Sequence, residues 1–475
     1  MQVSAIPKRG RIRVVLAVAV IVAAIMGFSR RGNSTSSQPV NKPSAVVPPK
    51  PASAAPTAPQ VAAPPPKPKT SWFTPFSAVA PTLRSVGNSL TEPELALMLR
   101  EHPPTAGASV DTLNLGRQSV VVHYSIDADA QDFTARLIKQ YQPRYAAAVA
   151  IEPSTGRVRV LVSFTGDGQP SLGDRLYCKS IFPAASVFKV VTASAAMEKA
   201  GLTPESPLRL VGRNHTLYRF QLEEDLEVSR DVPLEEAFAY SMNPIFGRIG
   251  IFITGRATLL DYARSFGFQQ QVPFVLATDT SSIMPVDSDY ALAEVASGFN
   301  KVTTLSPVLG ALIASSIVDD GKMNQPTLVD SVTDLLSRAT IYRSRPSLWR
   351  KPIRPATALN MRAMMSEVAR YGTARSGFSY MRRSFRFNEL QFGGKTGSLD
   401  KDSLGKIDWF IGFVKHPTDP SQDLAVGVVT VHGDYWTVHS SYVAAEMMRR
   451  YVRSAQRREE ETAADETTQG ERTKG

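Results

Sequence analysis

The chain has 475 residues, 43% of them hydrophobic, enough for a large core and for more than one structural region. Its formal charge is +11, but residues 1–70 hold ten Lys and Arg and no Asp or Glu, so the remainder is within about one charge of neutral. That excludes a basic nucleic-acid-binding face on the globular part, and the single cysteine, Cys178, excludes an intrachain disulfide framework and a thiolate zinc cluster. The six histidines form no H-E-x-x-H pattern, so neither a metal nor any other cofactor is expected.

Lys8, Arg9, Arg11 and Arg13 precede a continuous apolar run from Val14 to Phe28, and Arg30 and Arg31 follow it. The run is either a short membrane anchor or the h-region of a signal peptide; no small-x-small cleavage site lies close behind, which favours residues 1–31 as a cytoplasmic stub and uncleaved membrane anchor. The heavier positive charge at the N-terminus keeps that end in the cytoplasm, which puts everything after residue 30 outside the cytoplasmic (inner) membrane, on the periplasmic or extracytoplasmic side. Residues 32–71, with Pro48-Pro49 and Pro64-Pro65-Pro66, cannot bury a core and read as a linker. As polyproline II this linker would reach on the order of 100 Å, and as a flexible coil roughly 35 Å.

Residues 72–118 are expected to form a small pedestal or N-terminal extension, with a helix from Thr91 as N-cap, Glu94 at its third position, to about Arg100. Ser119–Ser125 alternates as a strand, and Ala128–Tyr141 is an amphipathic helix. Ala146–Glu152 and Arg157–Ser163 form a hairpin about the Pro153-Ser154-Thr155-Gly156 turn. Residues 177–340 are expected to be mainly helical. Gln391–Leu399 is extended, and the strands Ile407–Lys415 and Leu424–Val431 follow. A last helix spans about Ser440–Ala455, and the charged tail, 456–475, is expected to be disordered.

Three short motifs carry the chemistry. Ser186-Val187-Phe188-Lys189 follows Pro183-Ala184-Ala185 and opens a helical pattern that ends at Gly201. A serine at a helix start and a lysine three residues on share one face, and a lysine with a lowered pKa can take the serine proton. The bland reading is an N-cap serine and a solvated lysine, and S-x-x-K is common by chance. Ser241-Met242-Asn243 offers a second hydroxyl to relay a proton and an amide to orient a carbonyl, although a helix-end turn explains it equally well. Lys395-Thr396-Gly397-Ser398, on an extended segment, suits a substrate carboxylate. A phosphate loop is excluded there because Glu389 stands where its first glycine must be.

The set S-x-x-K, S-x-N and K-T-G, in this order, resembles the penicillin-binding proteins and serine β-lactamases, with Met242 where the lactamase form has Asp. The resemblance extends to Ser125-Ile126-Asp127, the 150–156 hairpin, Val302–Pro307, Tyr371-Gly372-Thr373-Ala374 and Trp409–Phe413, and it covers about 119–455 as a transpeptidase domain. It implies an α+β fold, an antiparallel sheet covered by helices plus an all-helical lobe. It implies a monofunctional peptidoglycan D,D-transpeptidase that crosslinks stem peptides. Ser186 would be the nucleophile toward D-Ala-D-Ala and Lys189 the general base. Ser241 and Asn243 would relay the proton and position the substrate, and Lys395, with Thr396 and Ser398, would hold its terminal carboxylate, with Gly397 also in the substrate-binding segment. The amides of Ser186 and Ser398 would form the oxyanion hole. Peptidoglycan stem peptides, β-lactams as inhibitors, the membrane through the N-terminal helix and other cell-wall synthesis proteins are the implied partners; nucleic acid is not. A D,D-carboxypeptidase, an endopeptidase or a class D-like β-lactamase could use the same residues, and an idle penicillin-binding sensor or scaffold is the third alternative. Residues 72–118 are too short for a glycosyltransferase or a large pedestal.

Overall fold

The computed structural model describes residues 89–105, 107–224 and 229–472, with side chains to Arg457. The expected anchor at 14–28, the linker at 32–71 and the first part of the 72–118 extension lie outside the described residues. Among the described residues no helix is long and apolar enough to cross a membrane.

Helix α1 (Glu92–Glu101) starts on a capping box: the Glu94 carboxylate accepts from the Thr91 amide at 2.8 Å and from its hydroxyl at 2.6 Å. The hairpin β1 (Val110–Asn114) and β2 (Ser119–Tyr124) follows. Helix α2 (Ala128–Tyr141), capped by Asp127, leads to the hairpin β3 (Tyr145–Ile151) and β4 (Val158–Thr165). Next come β5 (Phe182–Pro183), α3 (Lys189–Ala200), β6 (Pro207–Leu210), β7 (Arg230–Pro233), α4 (Leu234–Ala239), α5 (Asn243–Arg248), α6 (Gly255–Ser265) and α7 (Asp289–Ser297). The chain continues through β8 (Thr304–Leu305), α8 (Pro307–Val318), β9 (Met323–Asn324), β10 (Val329–Asp334), β11 (Thr340–Arg343), β12 (Leu348–Arg350), α9 (Pro355–Arg370) and α10 (Ser379–Arg383). It ends with β13 (Gln391–Lys401), β14 (Gly405–Lys415), β15 (Leu424–His432) and α11 (Ser440–Arg472).

The frame is a five-stranded sheet in the order β13-β14-β15-β3-β4, antiparallel throughout. Helices α2 and α11 pack on the sheet, as does α8, which lies across β3, β14 and β15. Every residue of β3 and β15 is buried, which is why β3 reads as an unbroken apolar run and β15 as one interrupted only at Thr430 and His432, rather than as alternating strands. Helix α8 is buried on all sides and has no polar stripe; Ser306 caps it, its hydroxyl accepting from the Leu309 amide at 3.2 Å. Helices α3 to α7 form the helical lobe, and α9 bridges it to the free edge at β13.

Three expectations need correction. The stretch 177–340 is helical only as far as α8; its end, β9 to β11, is strand, with Val329 and Val332 buried on one face of β10. Pairing with β2 in the four-stranded sheet β1-β2-β10-β11 decides that, a long-range contact that a local pattern does not carry. The boundary at 118 divides a hairpin, because β1 pairs with β2, and Leu95, Met98 and Leu99 of α1 join the main core. The residues of the extension described are therefore integral to the domain. Finally, α11 runs on to Arg472 where a disordered tail is expected after 455, since the tail is dense in Arg, Glu and Ala, all good helix formers.

Candidate active site

The serine segment is fixed from behind. β5 pairs with β8, and the buried indole Nε1–H of Trp409 donates to the Pro183 carbonyl at 2.8 Å. Residues Ala185–Phe188 then form a short 3-10 turn before α3 begins at Lys189. Ser186 thus stands just ahead of the helix, and Lys189 is its first residue. Ala185 has φ +48°, a left-handed conformation that costs a side-chain-bearing residue energy. Behind it Gly298, at φ +69°, closes α7; a Cβ there would lie 1.9 Å from the Ala185 carbonyl oxygen, so no other residue fits. Gly201 ends α3 in the left-handed conformation, as its C-cap pattern predicts.

Lys189 is fully buried. Its Nζ lies 2.9 Å from Ser186 Oγ, 2.7 Å from Asn243 Oδ1 and 2.5 Å from the Ser297 carbonyl. Burial, aided by the charge of Lys395, holds its pKa well below the ordinary lysine value. A neutral amine has two N–H groups and one lone pair. Asn243 Oδ1 and the Ser297 carbonyl can only accept, so they take the two N–H groups, and the lone pair remains for the Ser186 hydroxyl. That is the geometry of a base on its acid.

Ser241 occupies the turn between α4 and α5 at φ +57°, and Asn243 opens α5 just ahead of Pro244. Asn243 Nδ2 donates to the His215 carbonyl at 3.1 Å, which orients the amide so that its oxygen meets Lys189. The Ser241 hydroxyl accepts from Lys395 Nζ at 3.0 Å; Lys395 also donates to the Thr396 carbonyl at 3.0 Å. Lys395 is likewise fully buried, and burial lowers its pKa to about 7.

Lys395 through Ser398 lie on β13, the edge strand facing the serine. A Cβ on Gly397 would stand 3.1 Å from the amides of both Ser186 and Val187, so its absence keeps the space above those amides clear. The hydroxyls of Thr396 and Thr373 meet at 2.5 Å, and that of Ser398 donates to Asp408 at 3.1 Å. Ser186, Ser241, Asn243, Thr396, Gly397 and Ser398 all line one cavity of about 370 Å3, with the two lysines buried beneath its wall.

Several lining residues are not among those singled out from the sequence: His215, Phe299, Thr373, Asp408 and His439. Thr373 lies inside a quoted family segment, Tyr371–Ala374. Asp408 had a signal of its own, a carboxylate between Ile407 and Trp409 in a strand that is otherwise buried. His215 and His439 sit in loops with no local pattern to mark them.

An active-site serine with a buried lysine beside it, set between an antiparallel sheet and a helical lobe, defines the class of serine acyltransferases that uses lysine as base. Residues 146–452 match the family described as the penicillin binding protein transpeptidase domain, and the chain belongs to that family. It is 28% identical over 357 residues to peptidoglycan D,D-transpeptidase PbpA of Mycolicibacterium smegmatis, covering 66% of this chain and 68% of that one. The protein of the same name from Mycobacterium tuberculosis is 27% identical over 355 residues, with the same shares covered. Penicillin-binding protein A from M. tuberculosis, solved as an imipenem acyl-enzyme complex, has a similar fold, with a TM-score of 0.56 at 24% identity over 69% of this chain and 79% of that one. Penicillin-binding protein 3 from M. tuberculosis, complexed with aztreonam, has a TM-score of 0.58 at 16% identity, covering 71% and 80%.

Proposed function

We propose that the chain is a peptidoglycan D,D-transpeptidase acting through a Ser186 acyl-enzyme. The observation that carries this is the buried Lys189 amine, 2.9 Å from the Ser186 hydroxyl with its other contacts both acceptors. Ser186 Oγ attacks the carbonyl carbon of the penultimate D-Ala, and its proton passes to Lys189. The amides of Ser186 and Ser398 receive the oxyanion. Collapse of the tetrahedral species breaks the peptide bond, and the departing D-Ala nitrogen takes the proton back by way of Ser241. An amine of a second stem peptide then attacks the ester carbonyl, Ser186 leaves with its proton restored, and a crosslink results. Lys395 and Thr396 hold the terminal carboxylate, Asn243 orients the substrate, and Gly397 leaves room above the nucleophile's amide. β-Lactams acylate the same serine.

The apolar run 14–28 and its flanking cations support an N-terminal anchor in the cytoplasmic membrane, a tether at 32–71 and a catalytic domain on the outer side, within reach of other cell-wall synthesis proteins.

Incubation of the full-length chain with fluorescent penicillin tests the reading. Stable label that disappears in Ser186→Ala is expected. Rapid release of label would indicate a β-lactamase, and no label would indicate a non-catalytic scaffold. A stem-peptide donor given with an amine acceptor should yield crosslinked dimer; cleaved donor alone would assign a carboxypeptidase or endopeptidase.

A further inference from the structure

Asp408 is 4% exposed yet lines the cavity, directly across the strand pair from Ser398. One of its oxygens accepts from the Ser398 hydroxyl at 3.1 Å. The other accepts from the amide of Ser440 at 2.8 Å and its hydroxyl at 3.0 Å, and lies 3.3 Å from His439 Nδ1. The start of α11 thus holds one side of the carboxylate and Ser398 the other. An ionised carboxylate only accepts, so the single proton of Ser398 points at Asp408, and the face of Ser398 toward the cavity carries lone pairs.

That arrangement opposes an anion at Ser398: a lone pair meets it first, and the Asp408 carboxylate stands behind, its charge offset in part by His439 on the far oxygen. The neighbouring hydroxyls differ. Thr396 and Thr373 share one hydrogen bond at 2.5 Å, which leaves one of their two protons free, and Lys395 retains an N–H beyond its two contacts. We infer that Asp408 is a specificity-determining residue: by engaging the Ser398 proton, it directs the substrate carboxylate to Thr396 and Thr373 over Lys395 and leaves Ser398 to accept an N–H from the ligand. This rests on the D,D-transpeptidase reading, which supplies a carboxylate-bearing substrate.

The test is the second-order rate of acylation of the full-length chain by benzylpenicillin, which carries a carboxylate. Asp408→Asn removes the charge, keeps an oxygen for Ser440 and frees the Ser398 hydroxyl to turn. It is expected to accelerate acylation on the order of tenfold. Thr396→Val should slow acylation at least about tenfold, and Ser398→Ala by less than about threefold. A slower or unaltered Asp408→Asn protein that melts like the wild type would overturn the inference. So would a loss in Ser398→Ala equal to that in Thr396→Val, a comparison that stands even if the Asp408 variant fails to fold. A wild-type chain that takes no label refutes the functional reading, and this inference with it, whereas normal labelling with the wrong variant order refutes this inference alone.

Discussion

The Trp409 indole, in the middle of β14, donates its one N–H to the carbonyl of Pro183, three residues before Ser186, at 2.8 Å. The ring is fully buried and meets Phe182 edge-on, with centroids 6.1 Å apart. The sheet thereby sets the position of the serine turn. Trp409→Phe keeps most of the packing but orphans a buried carbonyl. It should lower unfolding stability by about 1–3 kcal/mol in denaturant titrations. It should also slow penicillin acylation more than a surface substitution of equal thermodynamic cost.

Gly298→Ala should damage the site and lower stability as well, since the clash is with backbone and the position is left-handed. The added methyl collides with the carbonyl of Ala185, and the shift it demands moves the backbone that carries both Ser186 and the Ser297 carbonyl bound to Lys189. A displacement near 1 Å at a nucleophile can cost on the order of a hundredfold in rate. Acylation kinetics and a melting curve, measured together, distinguish that outcome from simple unfolding.

Lys189→Arg should abolish acylation. The guanidinium stays protonated, so it offers Ser186 no lone pair, and general-base catalysis worth roughly 10²–10⁴ is lost. Ser186 should remain unlabelled by fluorescent penicillin over times that saturate the wild type.

The two lysines predict a pH profile. Acylation needs Lys189 neutral, and burial beside Lys395 favours the neutral amine by lowering its pKa. It also needs Lys395 charged toward an anionic ligand, and burial places that pKa at about 7. The acylation rate constant of the free enzyme should therefore fall as pH rises through about 7. In Lys395→Arg, whose charge does not titrate, that descending limb should vanish. A rate that keeps climbing to pH 9 in the wild type would contradict this assignment.

Acid should destabilise the protein partly through His432. It is buried on β15, bonded to Thr430 Oγ1 at 2.9 Å, and burial lowers its pKa to about 4. Above its ordinary value of 6.5 neither the folded nor the unfolded form binds the proton. Between 6.5 and about 4 the unfolded chain binds it and the native state does not, so stability falls as pH falls across that window. Thermal melts from pH 7.5 to 4.5 should show the decline, and His432→Asn should reduce its slope.

The motifs were legible because each is short and contiguous: Ser186 to Lys189 spans one turn, and Lys395 to Ser398 lies along one strand. Strands β3 and β15 were legible because burial on both faces writes a nearly continuous apolar run, broken in β15 only by Thr430 and His432. What joins the motifs was not. The contact of Asn243 with Lys189 depends on a loop carbonyl at His215, and the seat of Ser186 depends on Gly298 and Trp409, all remote in sequence. Strand β10 was unreadable for the same reason: β2, which it pairs with, lies some two hundred residues earlier.

The β1–β2 hairpin has a practical bearing on how the domain can be cut from the chain. Strand β2 has β10 on one side and β1 on the other. A fragment started at Ser119, where sequence resemblance begins, would lose β1 and leave a row of unpaired β2 amides and carbonyls along a strand whose Val120, Val122 and Tyr124 are buried. Such an edge is a template for strand addition, so that fragment should self-associate, whereas one that begins ahead of Leu90 retains its own protective neighbour.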